Sequence, residues 1–259
     1  MAKRGTVQVA LIFPDKDTIQ KYYKGLIFLA ARTCYSETSP QQIWDEYLSD
    51  QTPPDKVLGI IEHVIDSGHH STIEHINFTF AISGVSRALT HQLVRHRIGV
   101  AFDQQSQRYV KYKDPHYVVP PTIEANPEAF AEYERFRDLS EEIYDHFLEL
   151  GVPAEDARFV FPNGVATNLI MTVNLRELLH MSGLRLCTLA QWEIRNLFKC
   201  IRKELMTADP YFGKMLVPKC VTLGYCDEKR NEDEHCRIRP HKNTVFKVYQ
   251  DYKSGKLSY

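Results

Sequence analysis

The chain has 259 residues, of which 43% are hydrophobic and 25% are charged, proportions that are ordinary for a globular protein and exclude a disordered or collagen-like chain. Its 32 lysines and arginines nearly balance 33 aspartates and glutamates, which gives a formal net charge of -1. A chain this neutral is a poor general binder of polyanions, so any basic binding site must be local.

The first part of the chain is predicted to contain strands and short helices. Apolar residues alternate over residues 7–11, which predicts an opening β-strand. Residues 55–66 carry apolar side chains at helical spacing and predict an amphipathic helix. Residues 76–82 alternate again and predict a half-buried strand that Gly84 ends. Ser86 is expected to cap a short helix after it.

The second part reads mainly as helices. A loop is expected up to about Ser106, followed by a β-rich stretch over residues 109–119. Asn126-Pro127 is a typical helix start, and apolar residues then recur at steps of three and four until Gly151. Further helices are predicted over residues 174–181 and 188–206.

Helices and strands do not alternate in strict βαβ order, and this favours an α+β fold with mixed helices packed on an antiparallel-rich sheet. We expect a single domain over residues 1–259, with an irregular tail from about residue 210. No apolar run approaches the roughly 20 residues that span a bilayer.

Six cysteines occur in a chain in which we find no secretion signal, so reduced thiols and a cytoplasmic location are expected. Cys220, Cys226 and Cys236 lie near His235 and His241 and could suggest zinc. Their spacings fit no common CxxC pattern, and we expect no metal ligands.

The densest polar cluster lies between His91 and Arg108 and combines arginines with glutamines and a serine. Guanidinium groups pair with phosphate through two hydrogen bonds, and amides and hydroxyls suit a base or ribose. Neither GxGxxG nor GxxxxGK[ST] is present, so side chains would have to hold any nucleotide. Two alternatives are a solvated helix C-terminus and a non-catalytic nucleic-acid-binding module.

Two further polar sets stand out. Residues 68–75 hold three histidines and Glu74, which could bind a metal in a hydrolase or contact a ligand as neutral side chains. Asn174 and His180 would lie about 240° apart around a helix, on adjacent faces.

Five segments, taken together and in this order, carry a resemblance to a known family. The chain resembles the flavin-dependent thymidylate synthases, the ThyX family, over about residues 25–225. The RHR tripeptide followed by a nearby serine is that family's signature. The matching segments are AARTCY (30–35), GHHSTIEH (68–75), QLVRHR (92–97) with QQSQRY (104–109), GVPAEDAR (151–158), and VNLRELLHMSGLR (173–185) followed by AQWEI (190–194).

The resemblance implies a ThyX-like fold and a homotetramer with active sites between subunits. It implies reductive methylation of dUMP to dTMP, with FAD as cofactor and with NADPH and 5,10-methylenetetrahydrofolate as co-substrates. The family does not use a cysteine nucleophile, so Cys34 and Cys187 need no catalytic role. Neither nucleic acid nor a membrane is an expected partner.

Matching positions suggest the residues that would contact each ligand. Arg185 would be catalytic, because its permanent charge would favour the N3-deprotonated uracil, which is more electron-rich at C5. The residues expected to bind FAD are His69, Ser71, Arg95, His96, Arg97, Gln104, Asn174, Arg176 and His180. The residues expected to bind dUMP are Gln92, Arg95, Gln104, Gln105, Ser106, Gln107, Arg108, Arg158 and Arg185.

Two positions depart from the family pattern. Eight residues separate RHR from Ser106, where the family signature has seven. Gln104 stands where many members have a carboxylate. A tolerated insertion is one interpretation, and altered substrate choice, for example UMP, is the other.

Overall fold

The computed structural model describes residues 5–233 and 235–256. Within that part, the chain forms one four-stranded sheet of β1 (Gln8–Phe13), β2 (Asn77–Ser86), β3 (Val100–Gln104) and β4 (Ala166–Asn174). The first α-helices in chain order are α1 (Lys16–Thr18), α2 (Lys24–Tyr35), α3 (Pro40–Leu48), α4 (Pro54–Asp66), α5 (Arg87–Leu93), α6 (Pro121–Glu124), α7 (Pro127–Glu149) and α8 (Ala154–Ala157). They are followed by α9 (Leu175–Arg185), α10 (Trp192–Ala208), α11 (Pro210–Met215), α12 (Lys219–Leu223) and α13 (Lys242–Lys253).

Short segments of other helical types complete the described chain. A π-helical turn, Ile19–Tyr23, joins α1 to α2. The 3₁₀ segments are His70–His75, Arg158–Val160 and Lys229–Asn231. None of the described helices has the length and hydropathy that crossing a bilayer requires.

The chain divides into two compact units. The sheet unit combines residues 5–14 with Asn77–Val173, and the helical unit combines Asp15–Ile76 with residues 174–256. The chain therefore passes between the units at three points, and each unit is assembled from two separate stretches of sequence.

The sheet has the strand order β1-β2-β4-β3. Antiparallel pairing joins β1 to β2 and β3 to β4. Phe78, Phe80 and Ile82 on β2 are at most 2% exposed and alternate with more exposed residues, as a half-buried strand requires. These observations confirm the predicted fold class, α+β with an antiparallel-rich sheet.

In the helical unit, a buried ion pair ties the early helices to the later ones. Lys24 Nζ on α2 lies 2.6 Å from Asp209 Oδ2, and the Asp209 side chain is 6% exposed. Gln20 Nε2 donates to the carbonyl of Ala208 at 2.9 Å. Both contacts bridge more than 180 residues of sequence and fix the start of this unit against the end of α10.

Several predicted elements are confirmed. The opening strand, the helices near residues 55–66, 126–150, 174–181 and 188–206, and the capped helix after Ser86 are all present. Asn126 Oδ1 accepts from the amides of Glu128 and Ala129, which satisfies amides that α7 leaves free at its start.

Four expectations about secondary structure were wrong. Gly84 does not end β2, because it takes φ +69° within the strand, where a Cβ would lie 2.2 Å from the carbonyl oxygen of Thr6. The loop before Ser106 contains β3. The stretch 109–119 holds only an isolated bridge, Tyr117 to Val165, and the tail contains α11, α12 and α13.

The apolar stripe of α7 is only partly covered. Ser140 and Tyr144 are the buried residues of this helix, whereas Phe136 is 52% exposed and Leu139 is 47% exposed. The half-buried members of the stripe are Phe130, Tyr133, Ile143 and Phe147. Helical periodicity therefore located the helix, and its stripe is a partly exposed face.

Candidate active site

The basic tripeptide of the sheet unit follows the C-terminus of α5. Ser86 Oγ accepts from the amide of Leu89 at 3.0 Å and starts this short helix. Beyond the helix, His96 is 7% exposed, while Arg95 and Arg97 on either side of it are exposed. Among the described residues, neither guanidinium has an ion pair. Two cationic groups therefore face solvent around a buried imidazole.

Gln104 and Gln105 are held at the end of β3. Gln104 Nε2 lies 3.3 Å from the hydroxyls of Thr90 and Thr167, which are both buried. An amide can donate to both hydroxyls, which a carboxylate at this position could not do. Gln105 is bonded through its backbone and side chain to Asn168. Gln104 and Gln105, which the family resemblance assigned to ligand binding, thus also use polar groups to fix the end of β3.

Gln107 is the most deeply buried of the expected substrate ligands, with 6% exposure. Its amide nitrogen is buried and has no hydrogen-bond acceptor among the described residues. Burying such a donor without an acceptor costs about 1–3 kcal/mol. Buried polar groups in native structures nearly always have a partner. A bound ligand would supply the acceptor that the Gln107 amide nitrogen lacks.

Arg108 and Arg158 meet at Glu155. Arg108 Nε donates to Glu155 Oε2 at 2.8 Å, and Arg158 Nε donates to the backbone carbonyl of Glu155 at 2.8 Å. Each guanidinium is held through its Nε atom, which leaves its terminal nitrogens for another acceptor. Ser106 Oγ accepts from the amide of Arg108 at 3.1 Å and shapes the turn that leads there. Two arginines from separate segments thus contact the same residue, and guanidinium groups are suited to binding phosphate.

In the helical unit, α9 lies against the 3₁₀ segment that contains the histidine cluster. Arg176 donates to the carboxylate of Glu74, so α9 is linked to the segment that follows His69 and Ser71. His69 and Ser71 are exposed, whereas His70 is half-buried and its Nε2 lies 3.2 Å from the carbonyl of Ile65. The two segments expected to bind flavin in this unit are therefore neighbours.

Asn174 has a structural role at the start of α9. Its Oδ1 accepts from the amide of Glu177 at 2.9 Å as the helix N-cap. Burial raises the pKa of Glu177, and the nearby His180 opposes this shift. Arg176 and His180 are four residues apart and exposed, so they share one face of α9. This face carries the polar groups that the sequence assigned to flavin.

Arg185 is the last residue of α9 and is half-buried. Burial lowers its pKa from the ordinary arginine value. An arginine side chain still keeps its charge at neutral pH. A partly desolvated cation acts more strongly on a neighbouring anion than one in water, because the effective dielectric is lower.

The structure brings the expected residues together in two sets. In the sheet unit, Gln107, Arg108 and Arg158 are linked through one turn and Glu155, and in the helical unit His69 and Ser71 lie beside α9. Gln92 is half-buried on α5. Glu155 was not among the residues selected from the sequence, and Glu74 was considered only within the histidine cluster, although both belong to the quoted segments.

The donor set fits a flavin and a nucleotide. Exposed guanidiniums without ion pairs suit phosphates, and the unsatisfied amide of Gln107 suits a carbonyl acceptor on a base or sugar hydroxyl. None of these groups is a nucleophile activated by an adjacent base, and the arrangement points to binding and positioning of ligands.

The model of the thymidylate synthase complementing protein family matches residues 19–211 of this chain. A flavin-dependent thymidylate synthase from Nitratidesulfovibrio vulgaris is 42% identical over 211 aligned residues, which cover 78% of this chain and 86% of that protein. One from Geobacter sulfurreducens is 39% identical over 204 residues, 78% of this chain and 85% of that protein. One from Pyrococcus abyssi is 38% identical over 198 residues, 72% of this chain and 80% of that protein.

A solved structure with the same fold is a UMP/dUMP methylase, PolB, from Streptomyces cacaoi, bound with 5-Br dUMP. It aligns with a TM-score of 0.70 over 83% of this chain and 96% of that one, at 20% sequence identity. At this identity the similarity establishes the shared fold.

Proposed function

Because the chain belongs to the thymidylate synthase complementing protein family, we propose that it is a flavin-dependent thymidylate synthase that methylates dUMP to dTMP. The observation that carries this proposal is about 40% identity to enzymes of that name over more than two thirds of the chain. The arginine pair on Glu155, beside the unsatisfied amide of Gln107, supports a nucleotide monophosphate as substrate.

In this proposal the residues of the sheet unit bind the nucleotide. Arg108 and Arg158 hold the phosphate with the guanidinium nitrogens that Glu155 does not use. Gln107 donates to the nucleoside, and Ser106 fixes the turn between them. Gln92, Gln104 and Gln105 complete the site, the latter two chiefly by positioning it.

FAD, when bound, supplies hydride transfer, which no side chain can perform. Arg95, His96 and Arg97, together with Gln104, His69, Ser71, Asn174, Arg176 and His180, are the residues we assign to holding it. Arg185 stabilises the N3-deprotonated uracil through its charge, which raises the electron density at C5. NADPH and 5,10-methylenetetrahydrofolate are the proposed reductant and carbon donor.

The extra residue after RHR is proposed to be a tolerated insertion that leaves dUMP as the substrate. In support, Gly99 takes φ +72°, and β3 then pairs with β4 in unbroken register from Val100 opposite Val173 to Gln104 opposite Leu169. An insertion in the turn at Gly99 would leave this pairing undisturbed.

Exposed apolar side chains support a homotetramer with shared sites. Ile98, Tyr109 and Phe159 are 83%, 81% and 81% exposed, and each directly follows one of the proposed ligand-binding arginines. Large apolar groups in such positions are typical of surfaces that a partner covers. We propose that other subunits cover them. We also propose that both units of the chain act as one domain, residues 1–259. The proposed location is the cytoplasm, where the six unpaired cysteines would stay reduced.

The test is the visible spectrum of the purified protein followed by a turnover assay. We expect bound flavin, and formation of dTMP from dUMP that requires NADPH and 5,10-methylenetetrahydrofolate, measured by chromatography. Faster methylation of UMP than of dUMP would reject the substrate assignment. A colourless protein that binds nucleic acid with steep salt dependence would reject the enzyme class.

A further inference from the structure

Four cysteines from separate segments line one small cavity of the helical unit. Cys187 follows the C-terminus of α9, Cys220 lies in α12, and Cys226 and Cys236 belong to the connection between α12 and α13. All four are free thiols. The cavity measures about 20 Å³, close to the space that one water molecule needs, so its occupant must be very small.

The four thiols therefore border one shared space, together with the guanidinium group of Arg239. Thiolate sulfur is the protein ligand that soft metal ions prefer.

The remaining charged groups that line the cavity are largely neutralised among themselves. Lys219 Nζ lies 2.8 Å from Asp227 Oδ2 and 4.0 Å from Glu228 Oε1. These carboxylates already have a cationic partner, and the sulfur atoms are the ligands left for a soft metal ion.

A buried asparagine fixes two of the cysteines. Asn231 is 1% exposed. Its Oδ1 accepts from the amide of Cys236 at 2.8 Å, and its Nδ2 donates to the Cys236 carbonyl at 3.2 Å and to Cys226 Sγ at 3.6 Å. Hydrogen bonds to ligand sulfur atoms and their backbone are the usual support of thiolate metal centres.

The surrounding segment has almost no apolar core of its own. Among the described residues of the stretch 217–240, Cys226 is the only buried hydrophobic side chain, at 8% exposure. The backbone is nevertheless fixed, since Cys226 exchanges hydrogen bonds with Pro240 and Lys242 at 2.8 and 2.7 Å. Short segments that cannot bury apolar surface are commonly held by a metal or disulfides.

We propose that Cys187, Cys220, Cys226 and Cys236 bind one zinc ion as a structural four-thiolate site. Four thiolates complete a tetrahedral shell and leave no open position, which distinguishes a structural zinc site from a catalytic one. The thiol protons leave to solvent on binding. The sequence led us to expect no metal because the spacings of Cys220, Cys226 and Cys236 fit no common CxxC pattern. Cys187 lies far upstream and was not considered with them.

Coordination requires a local adjustment that brings the sulfur atoms together. Among the described residues, no three of these sulfur atoms lie within 4.8 Å of one another, whereas zinc–sulfur bonds of about 2.3 Å bring them closer.

Elemental analysis of the full-length protein, purified without chelator and supplemented with zinc, tests the site. We expect one zinc per chain, and at least a tenfold loss of zinc affinity in Cys226→Ser. The matched controls are Cys34→Ser and Cys200→Ser, since neither residue lines the cavity, and both should keep the metal. Replacement of zinc by Co²⁺ should give sulfur-to-cobalt charge-transfer absorption.

Three outcomes would overturn the proposal: wild-type protein without bound zinc, zinc that Cys226→Ser retains, or a disulfide between any two of the four cysteines in freshly purified protein. If Cys226→Ser does not fold, the cobalt spectrum of the wild type decides alone, and a spectrum without charge transfer rejects the site. Flavin content and dTMP formation are measured separately, so failure here is distinct from failure of the proposed enzyme activity.

Discussion

Gln107 is deeply buried, and no described residue accepts a hydrogen bond from its side-chain nitrogen. Replacing it by leucine, which is similar in size, removes the unsatisfied donor. We expect Gln107→Leu to raise the free energy of unfolding by about 1 kcal/mol and to raise the KM for dUMP at least tenfold. Denaturant unfolding and steady-state kinetics measure the two effects.

The control for Gln107 is an asparagine variant, which keeps an amide but shortens its reach. Gln107→Asn should weaken dUMP binding without the gain in stability. If Gln107→Leu bound dUMP as well as the wild type does, the amide would have no part in substrate recognition.

Substitution of Arg185 tests whether an effect on the reaction rate can be separated from an effect on flavin binding. We expect Arg185→Ala to lower kcat by at least a hundredfold while the protein keeps its flavin, because in the proposed function the charge acts on the uracil and not on the cofactor. The visible spectrum and the rate of dTMP formation report these two properties.

Arg185→Lys keeps a positive charge but replaces the planar guanidinium with an ammonium group. This variant should recover part of the rate of dTMP formation. A colourless Arg185→Ala protein would show that this residue holds the flavin instead.

At the scale of the element, α9 depends on its N-cap. Asn174→Ala should lower the free energy of unfolding by about 1 kcal/mol, because the amide of Glu177 loses its acceptor. Asn174→Asp keeps an equivalent cap and should keep the stability. Urea unfolding and flavin content measure the two properties for both variants.

The aspartate variant decides whether the side chain also binds flavin. If Asn174→Asp is as stable as the wild type but contains less flavin, the amide contacts the cofactor in addition to capping. If both properties are unchanged, Asn174 acts through the helix alone.

The elements that sequence predicted well have local signals. Asn126-Pro127 starts α7 and Ser86 starts α5 because a side-chain acceptor and the following amides are neighbours in sequence. Strand β4 was not predicted from the sequence, although its residues from Thr167 to Val173 alternate between buried and less buried positions. Its signal was present as period-two alternation, but neither a turn motif nor a long apolar run drew attention to it.

The sequence indicated which residues belong to the candidate site, but it did not indicate which of them contact one another. Family resemblance assigned Arg108 and Arg158 to one ligand, yet nothing in their sequence separation places both on Glu155. That meeting depends on tertiary structure. Conversely, the threonine contacts of Gln104 could not be foreseen, because Thr167 belongs to the unassigned strand.

For the whole molecule, the exposed apolar residues beside the arginines predict assembly. Ile98→Asp should dissociate the proposed tetramer and abolish dTMP formation, because a charge cannot be buried in an apolar contact without large cost. Light scattering coupled to size-exclusion chromatography measures the mass.

The matched control is Tyr249→Asp on α13, a residue that is 54% exposed and distant in sequence from the proposed ligand-binding residues. It should leave the oligomer and the activity unchanged. A fully active Ile98→Asp monomer would contradict the proposal that sites form between subunits.

The threefold passage of the chain between its units bears on how the protein is synthesised. Strand β1 emerges from the ribosome first, but its partner β2 follows only after the whole stretch Asp15–Ile76. That stretch belongs to the helical unit, whose other part lies beyond Val173. Neither unit can therefore be completed early in translation. Nascent chains must therefore keep β1 unpaired until β2, which ends at Ser86, has emerged. Their helical surfaces stay incomplete for longer, a period in which chaperone binding would matter most.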